Sequence, residues 1–251
     1  MSAFDNKNRK GHGVGRRDGG RGRKKESGTH DENLSRKLSK LLRHRIHANG
    51  LSDVLRGDGY VPLERVLELS GFQGRTVEEI RAVVRDNDKQ RFALLKEGSS
   101  LFIRANQGHT ISGVTSEELL QSIEFTADGG KELTAIHGTY CKAWPAILES
   151  GGLSRMSRQH VHLAADLPGE SGVISGMRSS CELIVYVDVR AAILDGGLNF
   201  YTSSNGVILT PGLGEAGILP LTFVTSVVNR STGEEIFPLP TAVEKTQENE
   251  A

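Results

Sequence analysis

At 251 residues, with 37% hydrophobic and 25% charged residues and a formal net charge of zero, the chain has the length of one large domain or two small ones and a soluble composition. No apolar run approaches the roughly 20 residues that cross a bilayer, and the N-terminus lacks the apolar stretch of a secretory signal, so neither membrane insertion nor export is expected. Two cysteines, Cys141 and Cys181, cannot build a disulfide framework in a chain this long; they read as buried free thiols in a reducing intracellular compartment, cytoplasmic or nuclear.

The charge is unevenly spread. Residues 1–28 carry nine Lys/Arg against three acids, with seven glycines interleaved, and such a segment buries too little apolar surface to offset its ordering entropy. It reads as a disordered basic arm, either a solubilising tail or a salt-sensitive phosphate-binding arm. Asp31 is the expected N-cap of the first helix, along which Leu34, Leu38, Leu41 and Leu42 form one apolar stripe, and Gly50 suits its stop. A second helix is expected over 62–69. A third starts from Thr76, where Thr76 and Glu79 have capping-box spacing and Val77, Ile80, Val83 and Val84 share a face. After the Asp86-Asn87-Asp88 turn, strands are expected at 91–95 and 101–104, and a helix over 116–123 closes the lobe. Three helices followed by a hairpin is the order of a winged-helix unit.

Past residue 125 the pattern changes. Ala127-Asp128-Gly129-Gly130 reads as a linker, and short apolar runs at 133–136, 161–163, 182–189 and 206–210 read as strands between Gly, Ser and Asn. Helices near 144–148 and 190–194 intervene, so this half is a mixed, strand-rich α+β lobe. The end of the chain, from about 239, is polar and acidic.

Four basic segments carry candidate chemistry: Leu42-Arg43-His44, Lys89-Gln90-Arg91-Phe92, Ile103–His109 and Arg155–His162. Arg43 and His44 also fit a plain helix C-terminus, where cations are favoured. Asn106-Gln107-Gly108-His109 is dense in donors and suits contact with a ligand. There is no zinc spacing, Walker loop, dinucleotide glycine fingerprint or nucleophile elbow. Arginine and histidine without carboxylates suit phosphate recognition, because guanidinium presents a rigid fork of donors.

These segments, with Gly57–Pro62, His137-Gly138-Thr139, 156–163, Ile174-Ser175-Gly176-Met177-Arg178 and 205–210, occur in the order and across the span, about 33–225, in which the chain resembles the NAD⁺-dependent tRNA 2′-phosphotransferase family. The resemblance implies an α+β protein with a winged-helix lobe (29–126) for RNA and phosphate and an ADP-ribosyltransferase-like lobe (127–232) for NAD⁺, between the arm (1–28) and a disordered tail (233–251). It implies that an internal 2′-phosphate of RNA, expected on spliced tRNA, attacks the nicotinamide-bearing ribose. The neighbouring 2″-hydroxyl then takes the phosphorus, releasing ADP-ribose 1″,2″-cyclic phosphate. The family's catalytic Arg-His-Arg-Arg set maps onto Arg43, His44, Arg91 and Arg158, with Arg155 as the competitor for the last place. Cofactor contacts are implied for His137, Gly138, Thr139, His162, Arg178, Asn205 and Gly206. Arg104, Asn106, Gln107 and His109 are implied either in RNA contact or in support of the wing. No metal is expected, since arginines supply the positive charge, and a monomer is the default. Two other readings use the same scaffold: capping of terminal phosphates of RNA or DNA, and RNA binding without catalysis.

Overall fold

The computed structural model describes residues 23–125, 133–167, 177, 178 and 180–238, with backbone alone for 23–31. Most of the basic arm, the linker at 127–130, Ile174-Ser175-Gly176 and residues 239–251 lie outside the described residues; the tail expected to be disordered from 233 instead begins with a strand over Glu235–Phe237, which pairs at the sheet edge.

The first helix, α1, spans Arg23–Lys40. It therefore starts before Asp31, and residues 23–28, expected in the arm, are helical. Lys, Arg and Glu at 23–26 are good helix formers, and Asp31 sits inside the helix instead of capping it. Leu34, Leu38, Leu41, Leu42 and Ile46 are buried along one face. The helix then widens into one π-helical turn, Leu41–Arg45, and ends where Gly50 takes a left-handed conformation at φ 69°. A short strand β1 (Val61–Pro62) leads into α2 (Leu63–Leu67) and α3 (Val77–Arg85). The reciprocal Thr76–Glu79 capping box forms as its spacing predicts, with Glu79 N–H donating to Thr76 Oγ1 at 3.2 Å and Thr76 N–H to Glu79 Oε2 at 2.8 Å. β2 (Phe92–Glu97) and β3 (Ser100–Ala105) form a hairpin, and β1 adds to the outer side of β3, giving a three-stranded antiparallel sheet in the order β1-β3-β2.

The helix expected over 116–123 is a single turn, α4 (Ser116–Leu119), followed by β4 (Gln121–Ile123). β4 pairs with β9 (Phe200–Thr202) and so belongs to the large sheet of the second half. The remaining strands are β5 (Thr134–Thr139), β6 (Gly152–Ser154), β7 (Val161–Ala164), β8 (Leu183–Asp188), β10 (Val207–Thr210), β11 (Ile218–Pro220), β12 (Val224–Asn229) and β13 (Glu235–Phe237). With α5 (Trp144–Glu149) and α6 (Val189–Leu194) they complete a mixed α+β fold. Eight strands make an antiparallel sheet in the order β13-β12-β8-β5-β7-β10-β9-β4, and β11 pairs with β6 in a small second sheet.

Two features of this sheet position the site. β10 is buried on both faces: Val207 and Leu209 pack with the helices of the first half, while Ile208 packs with α5, α6 and the rest of the sheet. One core therefore runs from α1 into the sheet and fixes the two halves against each other. In its middle the sheet is barely closed. β5 meets β7 at one registered pair, Ile136 with Ala164, whereas β5 runs in register with β8 from Thr134 to Thr139. Beyond Ile136 the strands part, and His137 and His162 stand at the opening.

Candidate active site

The parting of β5 from β7 opens a cavity of about 360 Å³, lined by Arg43, Lys89, Arg91, Gln107, His137, Gly138, Thr139, Tyr140, Arg158, His162, Met177 and Arg178. Among the described residues its wall holds five cations and no carboxylate. Across the opening His137 Nδ1–H donates to the His162 carbonyl at 2.9 Å, a side chain taking the place of the next backbone rung.

Arg43 comes from the π-helical turn. That turn carries one residue more than an α-turn and is often found at functional sites. Gly108, at φ 87°, lies flat against it: a methyl group there would sit 3.5 Å from the Arg43 Nε and Cζ atoms. Arg43 Nε and Nη2 are buried with no partner in the protein. Burial, then the charges of Arg91 and Arg158, lower the Arg43 pKa to about 10. Arg158 is itself lowered, by burial and then by Arg178. Arginines brought together without a carboxylate among the described residues suit an anion: a phosphate would relieve the repulsion and accept from the Arg43 donors.

His44 stands beside this wall, exposed, and is not among its lining residues. Its pKa is lowered by burial, then by Arg43, Arg158 and Arg45, so the ring is neutral at pH 7. Thr110 fixes it. The Thr110 hydroxyl lies 3.0 Å from His44 Nδ1 and 3.4 Å from the Arg43 carbonyl, so it hydrogen-bonds Nδ1 and leaves Nε2 free of that contact.

His162 is also neutral, its pKa pushed down to about 3, first by burial and then by Arg158. Its Nδ1–H donates to the His160 carbonyl at 3.0 Å, so Nε2 is an acceptor. The contact of 2.9 Å to the Gln107 amide is therefore a donation from the Gln107 NH₂, which trades places with the oxygen by a half-turn of the amide.

Arg158, not Arg155, lines the cavity. Arg155 turns away, donating to the carbonyls of Arg158 at 2.7 Å and Glu215 at 2.9 Å. The other implied contacts fall elsewhere. Arg104 stacks over Tyr60 at 4.6 Å and donates to the Asp58 carbonyl. Asn106 and His109 are interior, 4% and 1% exposed. Of the four residues weighed between RNA contact and support, only Gln107 reaches the cavity. Asn205, 6% exposed, donates to the Lys89 carbonyl at 2.9 Å, and Gly206 forms the β9–β10 turn at φ 76°; neither is on the wall. Lys89, Tyr140 and Met177 are on it without having been singled out. Lys89 shared a motif with Arg91, and Tyr140 directly follows His137-Gly138-Thr139, so adjacency was the available signal. Cys181 is buried, but Cys141 is exposed, because it opens the turn after β5 rather than lying in the strand.

Gly138 is a packing requirement of this wall. A Cβ there would overlap the Met177 Cγ and Sδ atoms and press on Cys181 Cβ at 2.9 Å. The Met177 side chain can swing aside only by reshaping the cavity. Gly138→Ala is expected to weaken binding of the ligand that this cavity takes about tenfold, a loss near 1.4 kcal/mol, with a smaller effect on unfolding; steady-state kinetics with that ligand varied checks it.

A second cavity, of about 710 Å³, adjoins the first between α1 and the end of α3; it shares Arg43, Lys89 and Arg91 but is also lined by the carboxylates of Glu32, Asp86 and Asp88. Among the described residues no three His, Cys, Asp or Glu side chains cluster as a metal site, and no helix is long and apolar enough to cross a membrane.

Comparison with known proteins agrees with this chemistry. The family model of RNA 2′-phosphotransferases (Tpt1 / KptA family) matches residues 29–212. A tRNA 2′-phosphotransferase 1 of Danio rerio is 46% identical over 234 residues, covering 92% of this chain and 96% of the relative. The Mus musculus protein of the same name is 41% identical over 95% and 92% of the two chains. The tRNA 2′-phosphotransferase of Saccharomyces cerevisiae is 37% identical over 73% and 80%. With the family model matching residues 29–212 and relatives matching over nearly its full length, the chain belongs to the RNA 2′-phosphotransferase (Tpt1 / KptA) family.

Proposed function

We propose that the protein removes an internal 2′-phosphate from RNA, with spliced tRNA as the physiological substrate, and transfers it to NAD⁺. The observation that carries this reading is the approach of Arg43, Arg91 and Arg158 to one another beside His137-Gly138-Thr139, on a wall without acids among the described residues. We read the first half as a winged-helix lobe presenting the RNA phosphate and the second as an ADP-ribosyltransferase-like lobe holding the dinucleotide.

The residues present fit NAD⁺. The partnerless donors of buried Arg43 suit an anionic group, and the opening between β5 and β7 presents an edge of strand beside the His137 and His162 rings. When bound, NAD⁺ supplies the electrophilic ribose carbon that accepts the phosphate and the 2″-hydroxyl that later displaces the RNA from it. The chain's own residues do the rest. A phosphate carries its own negative charge and needs no general base to attack, so the wall needs no carboxylate. Arg43, Arg91 and Arg158 hold the phosphate in line and meet the charge that grows on its oxygens, where preorganised donors act most strongly. Neutral His44, held at Nδ1 by Thr110, has Nε2 available to take the proton of the attacking hydroxyl.

The test is incubation with NAD⁺ and an oligonucleotide bearing one internal 2′-phosphate. The expected products are RNA with a free 2′-hydroxyl, nicotinamide and ADP-ribose 1″,2″-cyclic phosphate. Accumulation of ADP-ribosylated RNA without the cyclic phosphate would move the protein to the phosphate-capping reaction. RNA binding without release of nicotinamide would reduce it to a binding protein.

A further inference from the structure

We infer that Asn205 is a positioning residue that acts on Arg91 from across the molecule, and that it does not contact the dinucleotide. The inference rests on the reading of Arg91 as a phosphate-holding residue.

Three asparagines grip three consecutive residues of the arginine loop. The Asn87 Oδ1 atom accepts from the Arg91 N–H at 3.1 Å and from its Nη1 at 3.2 Å. Asn106 Nδ2 donates to the Gln90 carbonyl at 2.7 Å, and its backbone N–H donates to the Arg91 carbonyl at 2.9 Å. Asn205 Nδ2 donates to the Lys89 carbonyl at 2.9 Å. Asn87 and Asn106 are neighbours of the loop in the first half. Asn205 is not: it stands at the β9–β10 turn of the large sheet, 116 residues away.

Its own orientation is locked. The Ser203 hydroxyl donates to Asn205 Oδ1 at 2.8 Å, so the NH₂ must face Lys89. The side chain is 6% exposed and lies off the cavity wall, leaving it no route to a ligand there.

The loop needs gripping. Gln90 is held at φ 41°, in the left-handed region that a residue with a Cβ adopts only when its surroundings impose it. Without the donor from the sheet, Lys89 is released, Gln90 relaxes towards ordinary backbone angles, and the Arg91 fork leaves the line of Arg43 and Arg158. Asn205 thus ties the position of a phosphate-binding side chain to the sheet that carries His137 and His162.

The experiment compares wild type, Asn205→Asp, Asn205→Ala, Gln90→Gly and the double variant Asn205→Ala/Gln90→Gly in the full chain. Asp matches Asn in shape and cannot donate. Turnover of the 2′-phosphorylated oligonucleotide at saturating NAD⁺ is expected to fall about 100-fold in both single Asn205 variants, the cost of a misplaced group, while KM for NAD⁺ stays within about twofold. Backbone amide exchange at Gln90 and Arg91, measured without substrates, is expected to accelerate. Gln90→Gly, which removes the cost of the left-handed angle, is expected to restore most of the lost turnover in the double variant. A tenfold rise in KM for NAD⁺ with unchanged turnover and unchanged exchange would show Asn205 to be a dinucleotide contact and overturn the inference. So would failure of Gln90→Gly to rescue, which marks a general packing role. If wild type itself shows no turnover, the phosphotransferase reading fails, and the exchange rates alone decide whether Asn205 holds the loop.

Discussion

Arg91→Ala is expected to lose about a thousandfold in the rate of phosphate transfer, the scale of removing one preorganised donor from a developing oxyanion, with the fold intact. Arg91 is half-buried in the common wall of both cavities, it belongs to no ion pair among the described residues, and its charge is one of those that lower Arg43. Deleting it removes a donor from the phosphate and a repulsive neighbour from Arg43, so the two effects have opposite signs. Catalysis falls, while the unfolding midpoint holds or rises slightly. Arg91→Lys should recover only part of the rate, because an ammonium keeps the charge but not the paired donors of the fork. Single-turnover kinetics with the 2′-phosphorylated oligonucleotide, alongside thermal unfolding, separate these outcomes. A rate within tenfold of wild type for Arg91→Ala would remove Arg91 from the reaction.

The second large effect is on stability in mild acid. His109 and His160 are 1% and 4% exposed. Burial, reinforced by Arg43 for His109 and by Arg155 for His160, pushes their pKa values down to about 3 and about 4. Their ordinary value is 6.5. Between that value and the depressed ones the unfolded chain binds protons that the folded chain refuses, so stability falls as pH falls. Each histidine contributes a slope of up to about 1.4 kcal/mol per pH unit in that window. By pH 5 the pair costs about 4 kcal/mol, a large share of the roughly 5–15 kcal/mol that holds a domain together. Urea midpoints at pH 7.5 and pH 5 should differ accordingly. His160→Gln, which keeps a polar partner for the Ser116 hydroxyl now 2.8 Å from the ring, should flatten the dependence. Midpoints that do not move over this range would mean that the two rings are not held neutral.

The parts of this architecture that rest on local spacing were legible in the chain. The leucine stripe of α1, the Thr76–Glu79 box and the β2–β3 hairpin follow from residues within a few positions of one another, and so does the alternation of apolar and small residues at 133–136 and 206–210. Where distant pairing overrides local preference, the reading failed. Residues 121–123 continue the amphipathic pattern of a helix, yet β9 offers them a free edge nearly eighty residues later, and strand wins. The same limit governs the site. Arg43, Arg91 and Arg158 could be named from their motifs, Arg158 over Arg155 because it directly precedes Gln159-His160-Val161-His162, but the contact that turns Arg155 away, the carbonyl of Glu215, lies sixty residues further on. Arg104, Asn106 and His109 looked like ligand contacts because they are polar and crowded together. Their partners, Asp58, Gln90 and the packing around Gly59, come from other segments and draw them inside.

The near-separation of β5 and β7 also bears on how the molecule moves. Two four-stranded plates share one backbone rung at Ile136–Ala164 and one imidazole strut beside it. If the cavity takes a dinucleotide as proposed, its occupant bridges plates that backbone pairing leaves almost unstitched and that a shared core beneath them holds together. Occupancy then stiffens the sheet crosswise, and departure of the spent ligand returns the seam to its slack state.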